Sequence, residues 1–295
     1  MVRKFAITAF LTTTLALFAQ PPARPGAIVT TGWLAQHSND HDIVIIQVGK
    51  SDDPTYATGH IPGARLLAAD EIADMHDDPG TELLPIEEEK RNLESFGLTD
   101  RSHVVAYSPA YDPLATRLLW TLDYLGFKGQ ASLLEGGLQK WTAEKRPLST
   151  ETPAPLPRGS VTVTTHPEVL VKIDHVNRLI AGDSTANKDA LIDSRPARRY
   201  TAGHIPTAQN FYWEDMLVDK ETRALRPPDQ LRQMYARAGV NPGKRSVSYC
   251  EVGQQASYTY WIARYLGLDA AMYDGSWMEY SNVGGAKVVK GDSPK

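Results

Sequence analysis

Cysteine is all but missing from this chain of 295 residues: Cys250 is the only one. A single thiol makes no intramolecular disulfide and no cysteine-based zinc site, so both kinds of staple are excluded. Left to itself, such a residue is a small buried hydrophobe. An excess of one charge is missing as well. Lys and Arg number 31 against 35 Asp and Glu, a net charge of −4, whereas dense phosphate contact needs clustered cations. Nucleic acid is therefore not an expected partner. The apolar stretch that opens the chain, Phe5 to Ala19 behind Met1-Val-Arg-Lys4, falls short of the ~20 residues that span a bilayer. With Gln20-Pro-Pro-Ala-Arg-Pro-Gly26 after it, the segment reads as a secretory signal over residues 1–20, an uncleaved anchor being the alternative. No cysteine follows it, which excludes attachment through a lipidated thiol. This reading predicts a secreted or periplasmic protein with no stable membrane insertion after signal cleavage.

The rest of the chain has enough apolar residues, 42%, to bury a core, and a length that suggests two domains. It also repeats itself. Gly59-His-Ile-Pro-Gly-Ala64 returns as Gly203-His-Ile-Pro-Thr-Ala208, with Tyr56 and Tyr200 each three residues ahead. Val104-Val-Ala-Tyr107 answers Ser246-Val-Ser-Tyr249, Tyr124-Leu-Gly126 answers Tyr265-Leu-Gly267, and Glu135-Gly136 answers Asp274-Gly275. The offset drifts from 144 to 139, so the order is kept with small insertions, as in a duplicated domain. The expected organisation is a first copy over 26–149, an extended proline-rich linker over 150–168 and a second copy over 169–290.

Within the second copy, helical spacing over Ile173 to Ala181, Asp229 to Ala238 and Gln254 to Leu266 alternates with short apolar runs at Ala190 to Asp193, Ser246 to Tyr249 and Ala270 to Tyr273. Short strands alternating with helices predict an α/β fold: in each copy a doubly wound parallel sheet with helices on both faces. Tyr258, Trp261 and Tyr265 share one helical face and are assigned to the core.

In an open parallel sheet, ligands bind beyond the carboxyl ends of the strands. Cys250 falls there. It ends the run Ser246 to Tyr249, and Glu251-Val-Gly-Gln-Gln255 turns into the next helix. Free backbone N–H groups and the positive end of the helix favour thiolate over thiol at such a corner. Gly253 supplies the positive φ that a loop curling its amides inward requires.

With these residues in view the sequence resembles the rhodanese superfamily, in particular its tandem-domain sulfurtransferases, over nearly the whole mature chain. The carriers are the paired Gly-His-Ile-Pro motifs, Ile192-Asp-Ser-Arg195 with Arg199-Tyr200, the loop Cys250 to Gln255, and Asp274-Gly-Ser-Trp277. The resemblance implies that Cys250 takes a sulfane sulfur from a small anionic donor such as thiosulfate or 3-mercaptopyruvate. The persulfide then passes it to cyanide or a thiol. It implies no cofactor beyond that covalent persulfide, and no metal. It also places Arg199 where the donor's anionic group is met, which an Arg fork matches bidentately. Arg195 is a second candidate for that role; a structural ion pair with Asp193 is the alternative. Glu251 and Val252 replace the residues that mark either familiar donor subtype, and Glu251 would raise the thiol pKa and repel a dianion unless turned away. Gln254 and Gln255 either donate hydrogen bonds to the donor or simply begin the helix.

The first copy has Ser108 opposite Cys250, Gly49-Lys-Ser51 opposite Asp193-Ser-Arg195, and Thr55 opposite Arg199. It is expected to be inert, forming one wall of a cleft over Cys250. His60 and His204 persist in both copies, which assigns them to packing rather than catalysis. A phosphatase would need an Arg closing the loop, and Ala256 stands there. A secreted sulfur-carrier or redox-sensing module using the same thiol is the reading from a different class.

Overall fold

The computed structural model describes residues 23–74 and 82–294; the segment read as a signal lies outside the described residues. The first half contains β1 (Ile28–Val29), α1 (Thr31–His37), β2 (Ile43–Gly49), α2 (Pro54–Thr58) and β3 (Arg65–Ala68), followed by α3 (Ile86–Ser95), β4 (His103–Tyr107), α4 (Pro113–Tyr124), β5 (Gln130–Leu134) and α5 (Gly137–Ala143). The second half repeats the series: β6 (Leu170–Val171), α6 (Ile173–Ile180), β7 (Asp189–Asp193), α7 (Ala197–Ala202), β8 (Gln209–Asn210), α8 (Pro228–Arg237), β9 (Arg245–Tyr249), α9 (Gln254–Tyr265), β10 (Ala270–Tyr273) and α10 (Ser276–Asn282). Each half is one five-stranded sheet, ordered β1-β5-β4-β2-β3 and β6-β10-β9-β7-β8, and every pairing is parallel. The expected α/β architecture is present in both copies.

The central strands read as continuous apolar runs because helices cover both faces; Ile43-Val-Ile-Ile in β2 is the clearest case. Polar residues break these runs where they have partners. Tyr107 at the end of β4 donates to Gln47 Oε1 at 2.9 Å, and Tyr249 at the end of β9 donates to Asp193 Oδ2 at 2.7 Å. This equivalence corrects the match read from sequence. β2 pairs Gln47 with Tyr107, as β7 pairs Asp193 with Tyr249, so Gln47, not Gly49, stands opposite Asp193. The first copy carries two extra residues between this strand position and Tyr56, which an alignment anchored on Gly-His-Ile-Pro absorbs in the wrong place.

Both histidines of the repeated motif are structural. His60 and His204 stack on Tyr56 and Tyr200 with ring centroids 3.9 and 3.7 Å apart, and each ring nitrogen meets a backbone carbonyl. The segment after Ser149 runs extended along the first half, where Arg158 pairs with Glu94 and Thr162 bonds Asp100.

The halves are joined through α4 and α9. One apolar cluster contains Leu118, Leu119 and Leu122 of α4 together with Ala256, Tyr258, Trp261 and Ile262 of α9. Tyr258 and Trp261 are buried as expected, and Tyr265 packs at the margin of the same cluster. Thr116 and Ser257 share a buried hydrogen bond of 2.8 Å across this seam. A pseudo-twofold relation shows at its ends. Asp274 accepts the Leu83 amide from the other half, and Glu135 accepts the Leu225 amide, each at 3.2 Å.

Candidate active site

β9 ends at Tyr249, and Cys250 opens the turn that becomes α9. Its thiol is 1% exposed, and the backbone N–H groups of Val252, Gly253, Gln255 and Ala256 donate toward the sulfur. Gly253 makes this convergence possible. It sits at φ +81°, and a Cβ there would stand 2.8 Å from Asp274 Oδ1 and 2.9 Å from Arg117 Nη1. Neither the conformation nor the space accommodates a side chain. The peptide of Cys250 is pinned from the other side: its N–H donates to Ser276 Oγ at 3.2 Å, and its carbonyl accepts from Trp277 N at 3.0 Å.

Burial is the larger influence on this thiol and holds its pKa above the ordinary value, while the four amides pull it down. This corrects the expectation of a thiolate formed without assistance. Amide dipoles and a helix N-terminus favour negative charge on the sulfur, but complete desolvation opposes it more strongly.

Cys250 nonetheless forms part of the wall of a cavity of about 230 Å³, lined also by Tyr111, Arg195, Pro196, Arg198, Arg199, Glu251, Val252, Gln254 and Gln255. All the site residues expected from sequence therefore meet here, Gly253 contributing its amide behind the wall. They do different things. Arg195 is 2% exposed and forms the ion pair held open as the alternative: Nε and Nη2 donate to Asp193, Nη2 also to Gly203 O, and Nη1 to Glu251 Oε2 at 3.3 Å. Trp277 lies under its guanidinium, 4.5 Å from centroid to Cζ. Arg199, on α7, is exposed and has no side-chain hydrogen bond or ion pair among the described residues, so its fork is open to an anion at the mouth. Glu251 turns toward Arg195. Gln254 and Gln255 begin α9 and line the cavity at once.

Two contributors were not singled out from sequence. Arg198 adds a second cation beside Arg199. Tyr111 comes from the first half, where the loop Ser108 to Asp112 replaces the cysteine loop; its hydroxyl bonds Gln255, and its ring meets Trp213 edge-on at 5.7 Å. Burial, with the Cys250 sulfur nearby, keeps this phenol neutral. The available signal was positional: a loop placed opposite Cys250 by the duplication faces the same cleft.

The first copy lacks more than the thiol. Pro113 opens α4 where Gln254 opens α9, and the Leu114 amide, in the place of that of Gln255, turns back to Tyr111 O at 3.0 Å. Ser108 Oγ is left buried without a hydrogen-bond partner. Among the described residues no group of three or more His, Cys, Asp or Glu is arranged to hold a metal ion, and no helix is long and apolar enough to cross a membrane.

Comparison with known proteins bears on this geometry. The chain is 30% identical over 293 residues to the sulfur carrier protein TtuD of Thermus thermophilus, covering 92% of this chain and 99% of that protein. It is 33% identical over 249 residues to a thiosulfate sulfurtransferase of Azotobacter vinelandii, covering 81% and 88%. Among solved structures, YnjE matches with a TM-score of 0.80 at 22% identity, over 92% of this chain and 70% of that one. A variant of EanB in complex with ergothioneine matches with 0.78 at 21%, over 90% and 70%. At such identities these two likenesses concern the fold alone. Residues 30–144 and 175–283 each match the rhodanese-like domain. A match that falls on both halves, with identity sustained along nearly the whole chain, makes this protein a member of the rhodanese-like family, built as two such domains in tandem.

Proposed function

We propose that the protein is a sulfurtransferase whose single working site is Cys250, with a small anionic sulfur donor entering at Arg198 and Arg199. The observation that carries this reading is the convergence of four backbone amides on the one thiol of the chain at the wall of a cation-rimmed cavity. Such donors stabilise a sulfur that bears negative charge in both the thiolate and the persulfide.

With thiosulfate as donor, the Cys250 thiol first loses its proton to solvent at the cavity mouth. The thiolate attacks the outer sulfur, the S–S bond of the donor breaks, and sulfite leaves with the bonding pair, so that Cys–S⁻ and S–SO₃²⁻ become Cys–S–S⁻ and SO₃²⁻. Cyanide then attacks the outer persulfide sulfur, giving thiocyanate and regenerating the thiolate. A thiol acceptor takes the sulfur as its own persulfide. Two half-reactions through one covalent intermediate give ping-pong kinetics. With residues 1–20 read as a signal, the reaction is assigned to a secreted or periplasmic protein, and N-terminal sequencing of the mature chain tests that assignment.

A second reading, favoured by the name of the Thermus relative, is a carrier: Cys250 holds the sulfur for a partner protein, and release to small acceptors is slow. One experiment addresses both. Mass spectrometry after incubation with thiosulfate or 3-mercaptopyruvate is expected to show one added sulfur on Cys250, and cyanide is expected to discharge it catalytically in the enzyme. A persulfide that forms but does not turn over supports the carrier. No added sulfur with either donor would falsify both.

A further inference from the structure

The first half lacks the thiol and the cradle, yet it places one charged side chain directly behind the cradle of the second. Arg117 of α4 is 2% exposed and reaches across the seam to Asp274, both of its terminal nitrogens bonding the carboxylate, Nη2 to Oδ2 at 3.2 Å. Its Nε has no hydrogen-bond partner, and its guanidinium lies over Trp120 with Cζ 4.6 Å from the ring centre. The pair is seated against the Cα of Gly253: Asp274 Oδ1 and Arg117 Nη1 both lie within 3 Å of the point a Cβ would occupy. One amide of the cradle, that of Gly253, is attached directly to this Cα, and that of Val252 lies one peptide before it.

Asp274 also begins the segment that holds the peptide of Cys250. Two residues on, Ser276 accepts the Cys250 N–H, and the next residue, Trp277, donates to the Cys250 carbonyl. Asp274 therefore touches the cradle at Gly253 and leads directly into the clamp on Cys250. Its position is set by the first half twice, through Arg117 and through the Leu83 amide.

We propose that Arg117 is a positioning residue for Cys250: through Asp274 it fixes the left-handed turn at Gly253 and thereby aims the amides that stabilise a negative sulfur. This deepens the sulfur-transfer reading and rests on it for function, but its primary test does not require sulfur transfer. A Gly at positive φ with nothing behind it is free to flip the peptide that enters it, and that flip turns the Gly253 amide away from the sulfur. The buried pair removes that freedom. The carboxylates that face Arg117 are Asp274, Glu82 and Glu89, and Cys250 faces the cradle amides on one side and Tyr111 on the other.

The experiment measures the pH dependence of Cys250 alkylation by iodoacetamide in the full chain, for wild type, Arg117→Lys and the double variant Arg117→Met with Asp274→Asn, which avoids leaving a buried carboxylate unpaired. Melting temperature and circular dichroism verify folding. The expected result is an alkylation midpoint at least one pH unit higher in the double variant, with a smaller rise in Arg117→Lys, which keeps the charge but not the fork. At a fixed pH below the midpoints, one unit is a tenfold slower reaction. A folded double variant with the wild-type midpoint overturns the proposal, and so does failure of both variants to fold, because the pair then serves stability alone. Persulfide loading of the wild type is followed in parallel; its absence refutes the sulfur-transfer reading while leaving the alkylation result to judge Arg117.

Discussion

Glu251 follows Cys250 in the chain, yet its carboxylate lies 3.3 Å from Arg195 Nη1. The acidic residue inside the cysteine loop is thus neutralised by an arginine that already holds Asp193. Arg195 sits between two carboxylates and offsets one of their two charges.

Replacing Glu251 by Gln is therefore expected to leave the alkylation midpoint of Cys250 within about 0.3 pH units of wild type, and to leave the preference between thiosulfate and 3-mercaptopyruvate unchanged. A shift of a whole unit, about 1.4 kcal/mol between the two thiol states, would mean that the carboxylate acts on the sulfur after all.

Arg199 and Arg195 are expected to fail in different ways. Arg199→Ala should raise KM for the anionic donor about tenfold or more, leave the second half-reaction intact and keep the melting temperature, because the side chain is exposed with nothing to hold. Arg195→Ala strands the buried Asp193 carboxylate and should cost about 3–5 kcal/mol of stability. Urea titration beside steady-state kinetics separates the two. Equal loss in both half-reactions on removing Arg199 would contradict its place at the mouth.

Glu89 on α3 is 1% exposed, and burial pushes its carboxyl pKa from the ordinary 4.5 up to about 8, with Arg117 opposing and Asp274 reinforcing the rise. Between those two values the native protein keeps a proton that the unfolded chain has released. The unfolded state then binds fewer protons, so stability falls as pH rises through this window, by roughly 1.4 kcal/mol per unit, and levels off above the folded value. Glu89→Gln should flatten this slope. Unfolding free energies of the two proteins at pH 5, 6, 7 and 8 check it, and parallel curves would show that Glu89 is ionised in the native state.

Tyr111 is the contribution of the first half to the cavity. Tyr111→Ala is expected to lower kcat/KM about tenfold and to cost about 1–3 kcal/mol of stability, from the edge-on contact with Trp213 and the apolar area its half-buried ring covers. Tyr111→Phe isolates the hydroxyl bonded to Gln255. If both variants match wild type with every donor and acceptor, the first half does not shape the site through this ring.

Ser108→Cys restores a thiol to the first copy without its full cradle, since the Leu114 amide, in the place of that of Gln255, is taken by Tyr111 O. The variant should therefore gain no second persulfide, and its new thiol should alkylate with a midpoint well above that of an exposed cysteine. Two added sulfurs per chain after donor treatment would show that the missing thiol was the whole defect.

Much of the site was legible because the cysteine is single and the duplication supplies its own control. Cys250, its turn and the helix behind it follow from a short strand, a glycine and a helical period, all local signals. Arg195 was ambiguous because sequence gives neighbours along the chain but not across it; Gly203, Glu251 and Trp277 fix its role, and all three come from other elements. The displaced match of Gly49 to Asp193 came from a two-residue insertion that only strand pairing locates. The protonation of Cys250 was misjudged for a related reason. Amides and a helix start can be read from the turn, whereas burial depends on the packing of both halves around it.

The apolar cluster that runs through α4 and α9 has a genetic consequence. A truncated gene encoding only the thiol-bearing copy would leave the inner face of α9 against water, and one encoding only the first copy would do the same for α4. Once duplication had merged the two interiors, neither half could be discarded.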